Sequence, residues 1–501
     1  MTNSKFAFNF MLIGLFMSIL DIQIVASSIA SIQAYFSATA DEVAWIQTAY
    51  LMAEVISIAM CSWYIKIFST RYTFSAACLI FTIASALCAT SVTLNQIIFF
   101  RIIQGAAGGI LIPTVFSMIF TITKDNKSKT LEMTKAGLIA TIAPTIGPTL
   151  GGWITENYSW HWLFLINITP GLLVSYVVYK YLDIDKPQLH KLKEFDLLGF
   201  IFLIGFLGPL EYILKEGPKN DWFESNKIIY LTIFCSFNLV SLLWWEIKKK
   251  RPLIVFNVFR NQNFAVSCFL SFSIGVALYG VVYLYPVMLN SVRNYNSFQI
   301  GTIMCIMGAV QFISGPIANL VSLKLDLRVM TAIGMIAFGI GLLTNSFMTT
   351  QVSFNELFWP QVIRGSFMMF CFLPITRLTF STLSQQQTND ASGLYNLMRN
   401  LGGAIGIAVI GNVMRIRLAH HKYLLSSNYS ILKNSTINTI VGSDSDMNVL
   451  ALASKLIHNE ASIRAFNDIF FALGIYMCLC STLVVFFKRT TQITSSSKTL
   501  Q

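Results

Sequence analysis

Along this chain fourteen apolar runs follow one another, divided by short polar breaks, and each is close to the ~20 residues a helix needs to cross a hydrocarbon core. They lie near 8–30, 45–65, 72–92, 97–120, 132–155, 161–182, 197–215, 227–246, 264–288, 299–322, 329–347, 358–381, 393–414 and 466–487. The pattern predicts an all-α polytopic membrane protein with fourteen transmembrane helices. The first run carries Asp21 in its middle and lacks a small-residue cleavage site, so it reads as a retained spanning helix, not a signal peptide.

The breaks alternate in charge, and this sets orientation, because Lys and Arg collect on the cytoplasmic side. Breaks with Lys66 and Arg71, Lys127 and Lys129, Lys180 and Lys186, Lys248 and Lys249, and Lys324 and Arg328 are expected in the cytoplasm. Those at 31–44, 93–96 and 348–357 are poor in basic residues and are expected outside. Both termini are then cytoplasmic. Stretch 415–465 holds Arg415, Arg417 and Lys422 but falls on the outer side, which long loops tolerate.

A weak internal repeat divides the chain. FFRIIQGA (99–106) aligns with WPQVIRGS (359–366), so that Arg101, Gln104 and Gly105 meet Gln361, Arg364 and Gly365, with Arg and Gln exchanged. The same offset pairs run 2 with run 10 and run 5 with run 13, and such repeats place a binding site between two halves. The expected division is an N-terminal six-helix bundle over 1–185, two inserted helices over 197–246, a C-terminal six-helix bundle over 259–487 with a periplasmic loop at 415–465, and a cytoplasmic tail over 488–501.

Composition narrows the function classes. With 55% hydrophobic and 12% charged residues, the chain cannot cover a soluble surface. The net charge of +12 lies in the breaks between runs, so it reports topology and not nucleic-acid binding. All nine cysteines fall inside apolar runs, and the five histidines fall at or beyond predicted helix ends, with His420 and His421 in a wet loop. No disulfide, metal or cofactor is expected.

Candidate chemistry comes from charges inside the runs. An ionised side chain at mid-membrane costs about 2.5–3.5 kcal/mol on insertion scales, so it needs a partner, a wet cavity or a function. Asp21, Glu54, Arg101, Glu211, Arg364, Arg377 and Arg399 meet that description. A structural ion pair or a snorkelling side chain is the ordinary alternative for each, and it is favoured for Glu211, near the outer surface. For Asp21 and Glu54, midway along neighbouring helices, proton exchange is the favoured role. Run 5 reads APTIGPTLGG (143–152), with Gly147, Gly151 and Gly152 spaced for close helix approach and Pro144 and Pro148 permitting a bend.

These segments resemble a known family. RIIQGAAGG (101–109) is similar to the helix-4 motif of the major facilitator superfamily, and APTIGPTLGG to its antiporter motif. LDIQIVASSIA (20–30), WHWLFLIN (160–167), EYILKEGPKNDWFES (211–225) and LYNLMRNLGGAIG (394–406) extend the likeness to the fourteen-helix drug:proton antiporters of the EmrB/QacA type. The resemblance implies two six-helix bundles plus two inserted helices, alternating access, and export of amphipathic compounds driven by protons. With it, Asp21 and Arg101, and from its position alone Glu54, are expected as coupling groups, Gln104, Gly105 and the residues of the antiporter motif as gating elements, and Gln23, with the repeat and intramembrane positions Gln361, Arg364 and Arg399, as cavity candidates. It also implies an inner-membrane location, a periplasmic membrane-fusion adaptor and an outer-membrane channel. A dedicated metabolite exporter, for instance of a siderophore, is the runner-up, and a membrane enzyme or receptor lacks any supporting constellation.

The chain departs from that pattern. Gln23, Ala26 and Ala30 stand where Thr, Asn and Pro are usual, and Glu54 where a neutral residue is frequent. In SWYIKIFSTRY (62–72), Ser62 and Ser69 replace the glycines of the gating loop, so weaker cytoplasmic gating contacts are expected. The topology makes a prediction. A single cysteine placed at Ser443, with the native cysteines controlled for, should react with an impermeant thiol reagent in intact spheroplasts; reaction only after lysis contradicts the topology.

Overall fold

Inside a bilayer every backbone N–H and C=O must be paired within the protein, which leaves helices as the solution for consecutive apolar runs. The computed structural model describes residues 2–123, 125–190, 195–249, 252–381, 383, 385–436 and 446–488, and its regular elements are all helical. They are α1 (Thr2–Ser27), α2 (Ile29–Phe36), α3 (Ala40–Ala89), α4 (Leu94–Ile122), α5 (Asn126–Asn157), α6 (Trp162–Leu165), α7 (Ile168–Tyr181) and α8 (Leu197–Glu216). The series continues with α9 (Asn226–Lys248), α10 (Gln262–Arg293), α11 (Ser297–Lys324), α12 (Leu327–Thr344), α13 (Phe354–Ser381), α14 (Gln385–Thr436) and α15 (Asp446–Ser481). Among the described residues, twelve stretches are long and apolar enough to cross a membrane.

Packing brings α1 against α4, α5 and α7, and α3 against α4, while α10 meets α13, α14 and α15. Helix α5 lies along α11, where the Thr149 hydroxyl and the Cys305 thiol are 3.2 Å apart. Helices α8 and α9 pack on each other, and α8 leans on α3. Their cytoplasmic ends, as oriented from sequence, are tied by Asp196, which caps α8, accepts from Trp245 Nε1 at 2.9 Å and pairs with Lys249 at 2.7 Å.

Two boundaries read from sequence need correction. Runs 45–65 and 72–92 form one 50-residue element, α3, interrupted at Ser69, where φ is 70° and ψ is 160°. The polar stretch 415–465 is not a loop through most of its described length. Helix α14 continues for 52 residues to Thr436, and α15 begins at Asp446. Polar residues mark where a helix leaves lipid, not where it ends, because its backbone bonds survive in water. His420 and His421 therefore sit within α14 and His458 within α15, not beyond helix ends. His421 Nε2 and Arg417 Nε meet Asp468 at 2.7 and 2.6 Å, joining α14 to α15. Ser443 and the tail beyond residue 488 lie outside the described residues.

Two substitutions follow from the backbone. Ser69 occupies a conformation nearly confined to glycine, with its hydroxyl buried and unpartnered, so Ser69→Gly should stabilise the protein by up to about 1–3 kcal/mol. A Cβ on Gly147 would collide with Cβ of Gln23 on α1, whereas one on Gly411 would meet only the Tyr283 hydroxyl, at 4.0 Å. Gly147→Leu should overpack the α1–α5 seam by about 1–3 kcal/mol, and Gly411→Leu should not. Thermal midpoints of the purified variants in detergent decide both; equal midpoints for the two glycine variants contradict the seam.

Candidate functional site

The geometry centres on Arg101. Its helix, α4, lies close to α3 because Gly105 has no Cβ to strike the Tyr50 carbonyl. The guanidinium is fully buried, stacks 4.1 Å from the Tyr50 ring, and donates from Nε to the Ile46 carbonyl at 3.3 Å. From Nη1 it donates to Asp21 Oδ2 in a buried ion pair, and to Gln104 Oε1 at 2.9 Å. Gln104 Nε2 and Asn167 Nδ2 both donate to Asp21 Oδ1, at 3.0 and 2.9 Å, and both reach the Ser85 hydroxyl. Asp21 thus accepts from α4 and from the turn before α7 while sitting on α1. A carboxylate with three such donors is both neutralised and oriented.

Glu54 lies one helical turn beyond Tyr50 on α3 and is 1% exposed. Its Oε1 accepts no hydrogen bond, and the carboxyl feels the charges of Arg101, Glu211 and Asp21. Glu211 is buried within the protein near the end of α8, and its Oε2 is also without a partner.

The second half of the chain arranges its arginines differently. Arg364 is fully buried, donates from Nη2 to Gln361 Oε1 at 2.5 Å and stacks 4.8 Å from the Tyr285 ring. Arg399 donates to Asn396 Oδ1 at 2.5 Å and lies 4.7 Å from the Phe372 ring. Arg377 donates to the carbonyl and hydroxyl of Ser322 near the end of α11, a structural tie. A small cavity of ≈ 10 Å³ lies between α5 and helices α10 to α13, with Thr145, Tyr285, Met307 and Gln361 among its walls.

Asp21 and Arg101 come together, as do Gln361 and Arg364, and Gln104, read from sequence as a gating residue, joins the first pair. Gln23 packs on Gly147, and Gly151 offers its carbonyl to Ser28 Oγ at 3.2 Å. Helix α5 runs unbroken through Pro144 and Pro148, with Gly152 buried. Sequence reasoning missed Asn167, Ser85 and Tyr50. Asn167 closes the quoted WHWLFLIN segment, so its place in that segment was the available signal. It also missed Asp390 on α14, which accepts from Ser62 and, at 2.6 Å, from Lys66.

Comparisons with known proteins agree with this architecture. The family model described as Major Facilitator Superfamily matches residues 11–407. The colistin resistance protein EmrB of Acinetobacter baumannii is 38% identical over 490 residues, covering 96% of this chain and 95% of that protein. The multidrug export protein EmrB of Escherichia coli is 30% identical over 82% of this chain and 80% of its own length. The fatty acid resistance protein FarB of Neisseria gonorrhoeae is 27% identical over 92% and 91%. Among solved structures, the proton:xylose symporter XylE superposes with a TM-score of 0.58 at 13% identity, covering 97% of this chain and 100% of that one, which speaks for the fold alone. A multi-pass, all-α membrane chain with this fold, matched by that family model over most of its length, belongs to the major facilitator superfamily, a family of transporters and not of enzymes.

Proposed function

We propose that this protein is a proton-driven exporter of amphipathic small molecules in the inner membrane of a Gram-negative bacterium, with Asp21 as the main proton carrier and Arg101 as its counter-charge. The observation that carries the reading is the fully buried ion pair between them. Protonating Asp21 leaves a neutral acid beside an uncompensated guanidinium, and breaking such a pair costs about 3–5 kcal/mol. The two protonation states therefore favour different packings of α1 and α4, which is what coupling requires. Each charge returning through 100 mV supplies about 2.3 kcal/mol. The names of the relatives, spanning colistin, multidrug and fatty acid resistance, support export of amphipathic compounds.

Fourteen crossings are supported by simple bookkeeping on the helices. Twelve stretches qualify by composition; α3 counts twice because of its break at Ser69, and the 32-residue α5 is excluded only by its polar content. We read them as two six-helix bundles, 1–185 and 259–487, flanking the inserted α8 and α9, with both termini cytoplasmic. Gln23, Gln361, Arg364 and Arg399 then line the path between the bundles, and Pro144, Gly147, Pro148, Gly151, Gly152, Gln104 and Gly105 form its moving seams. A helix of 52 residues extends about 78 Å, far beyond the bilayer core. The outer ends of α14 and α15, with Ile416, Tyr423 and Leu456 exposed, are the surface we assign to a periplasmic adaptor.

In proteoliposomes with an imposed proton gradient and simultaneous pH recording, Asp21→Asn should abolish proton-coupled export. Glu54→Gln should spare neutral substrates and weaken export of cationic ones, since it removes a buried acidic group beside the path. Export by Asp21→Asn with an unchanged proton count would make Asp21 structural and move the proton path elsewhere.

A further inference from the structure

Arg364 is a buried cation without a counter-ion. Nε reaches only the Pro360 carbonyl at 3.4 Å, Nη2 is held by the neutral Gln361, and the buried Nη1 has no hydrogen-bond partner. Among the described residues no carboxylate pairs with it.

The first half of the chain shows how this fold treats the equivalent charge. Gly105 of α4 rests on the Tyr50 carbonyl of α3, and Gly365 of α13 rests on the Met307 carbonyl of α11, at 2.6 Å from its added Cβ. Helix α4 therefore corresponds to α13 and α3 to α11, and the first helix of each half, α1 and α10, correspond in turn. Helix α1 supplies Asp21 to Arg101, whereas α10 supplies only the ring of Tyr285 to Arg364. One guanidinium is neutralised from within and the other is not. A buried charge left bare is costly, so its retention points to an anion that comes from outside the chain.

The surroundings define that anion. Gln361, which holds Arg364 Nη2, and Tyr285, on whose ring Arg364 stacks, form part of the wall of the small cavity, and the rest of the wall includes Met304, Met307 and Phe338. Gln361 and Tyr285 make one part of the wall polar, with the Arg364 guanidinium behind them and outside the lining; most of the remainder is apolar and deformable. We propose that Arg364, with Gln361 and Tyr285, is a subsite of the export path for the carboxylate of an amphipathic acid, whose apolar body lies against Met304, Met307 and Phe338.

The proposal rests on the export reading and narrows its substrate class. The cavity of ≈ 10 Å³ has room for about one water, so the headgroup enters when α5, which brings Thr145 to the wall, draws away from α10 and α11. Gln361 must then release Nη2, because its Oε1 occupies the donor that a bidentate carboxylate would take.

The test uses the full-length protein in nanodiscs of zwitterionic lipid, with dodecanoate and the uncharged dodecanamide as probes of equal chain length. Wild-type protein should bind dodecanoate at least about tenfold more tightly than the amide, and Arg364→Gln should remove that preference. Arg364→Lys, which keeps the charge but not the fork, should restore part of it. Equal binding of the two probes by wild-type protein overturns the proposal, even if a variant fails to fold. Complete displacement of dodecanoate by phosphatidylglycerol would assign the charge to lipid and overturn it too. Efflux of a cationic dye by the same wild-type preparation under a proton gradient reports on the export reading separately, so the two can fail independently.

Discussion

A bare charge is what a lipid-embedded chain can least sustain, and the organisation of the first half follows from that. Compensating Arg101 takes contributions from three other places in the fold: Asp21 on α1, the Tyr50 ring and Ile46 carbonyl on α3, and Asn167 before α7. None of these reaches Arg101 or its acid unless the helices approach closely. The glycine at 105 is therefore part of the electrostatics, because a side chain there would lift α4 off the Tyr50 carbonyl and the guanidinium off its partners.

The same network sets the character of the acid. Its other donors, Gln104 and Asn167, are neutral amides that also hold Ser85, so they keep partners whatever the charge on Asp21. Only Arg101 loses a counter-charge when a proton arrives. Protonation is thereby felt chiefly along the line from α1 to α4 and not as a general loosening, which suits the proton-carrier role proposed for Asp21. Glu54, with a bare oxygen nearby, lacks this protection and is exposed to whatever charge enters beside it.

What sequence could supply, and what it could not, divides along physical lines. Helix positions were legible because the bilayer imposes a length, and Asp21 and Arg101 were legible because a charge in an apolar run stands out. Helix ends outside the bilayer were not, since hydropathy is silent about a helix that continues into water, as α14 and α15 do. The pairing of Gln361 with Arg364 could be guessed from the repeat. The missing acid could not, because the absence of a partner is a property of the folded neighbourhood.

The gating loop shows the same limit from the other side. Read position by position, Ser62 and Ser69 look like losses, and weaker contacts were the natural expectation. In the fold, Ser62 and Lys66 both bind Asp390, more than three hundred residues further along, so a contact between α3 and α14 exists that no local motif contains. Its size is informative. Lys66 is 42% exposed, and an exposed ion pair is worth only about 0–1 kcal/mol, with about 1 kcal/mol more from a hydroxyl hydrogen bond. One charge moving through 100 mV, at about 2.3 kcal/mol, is comparable to what this polar contact adds to the packing of α3 on α14. Weak and reversible is what a closing contact in a cycling transporter has to be, and the serine that stands at a glycine position here makes such a contact with a distant acid.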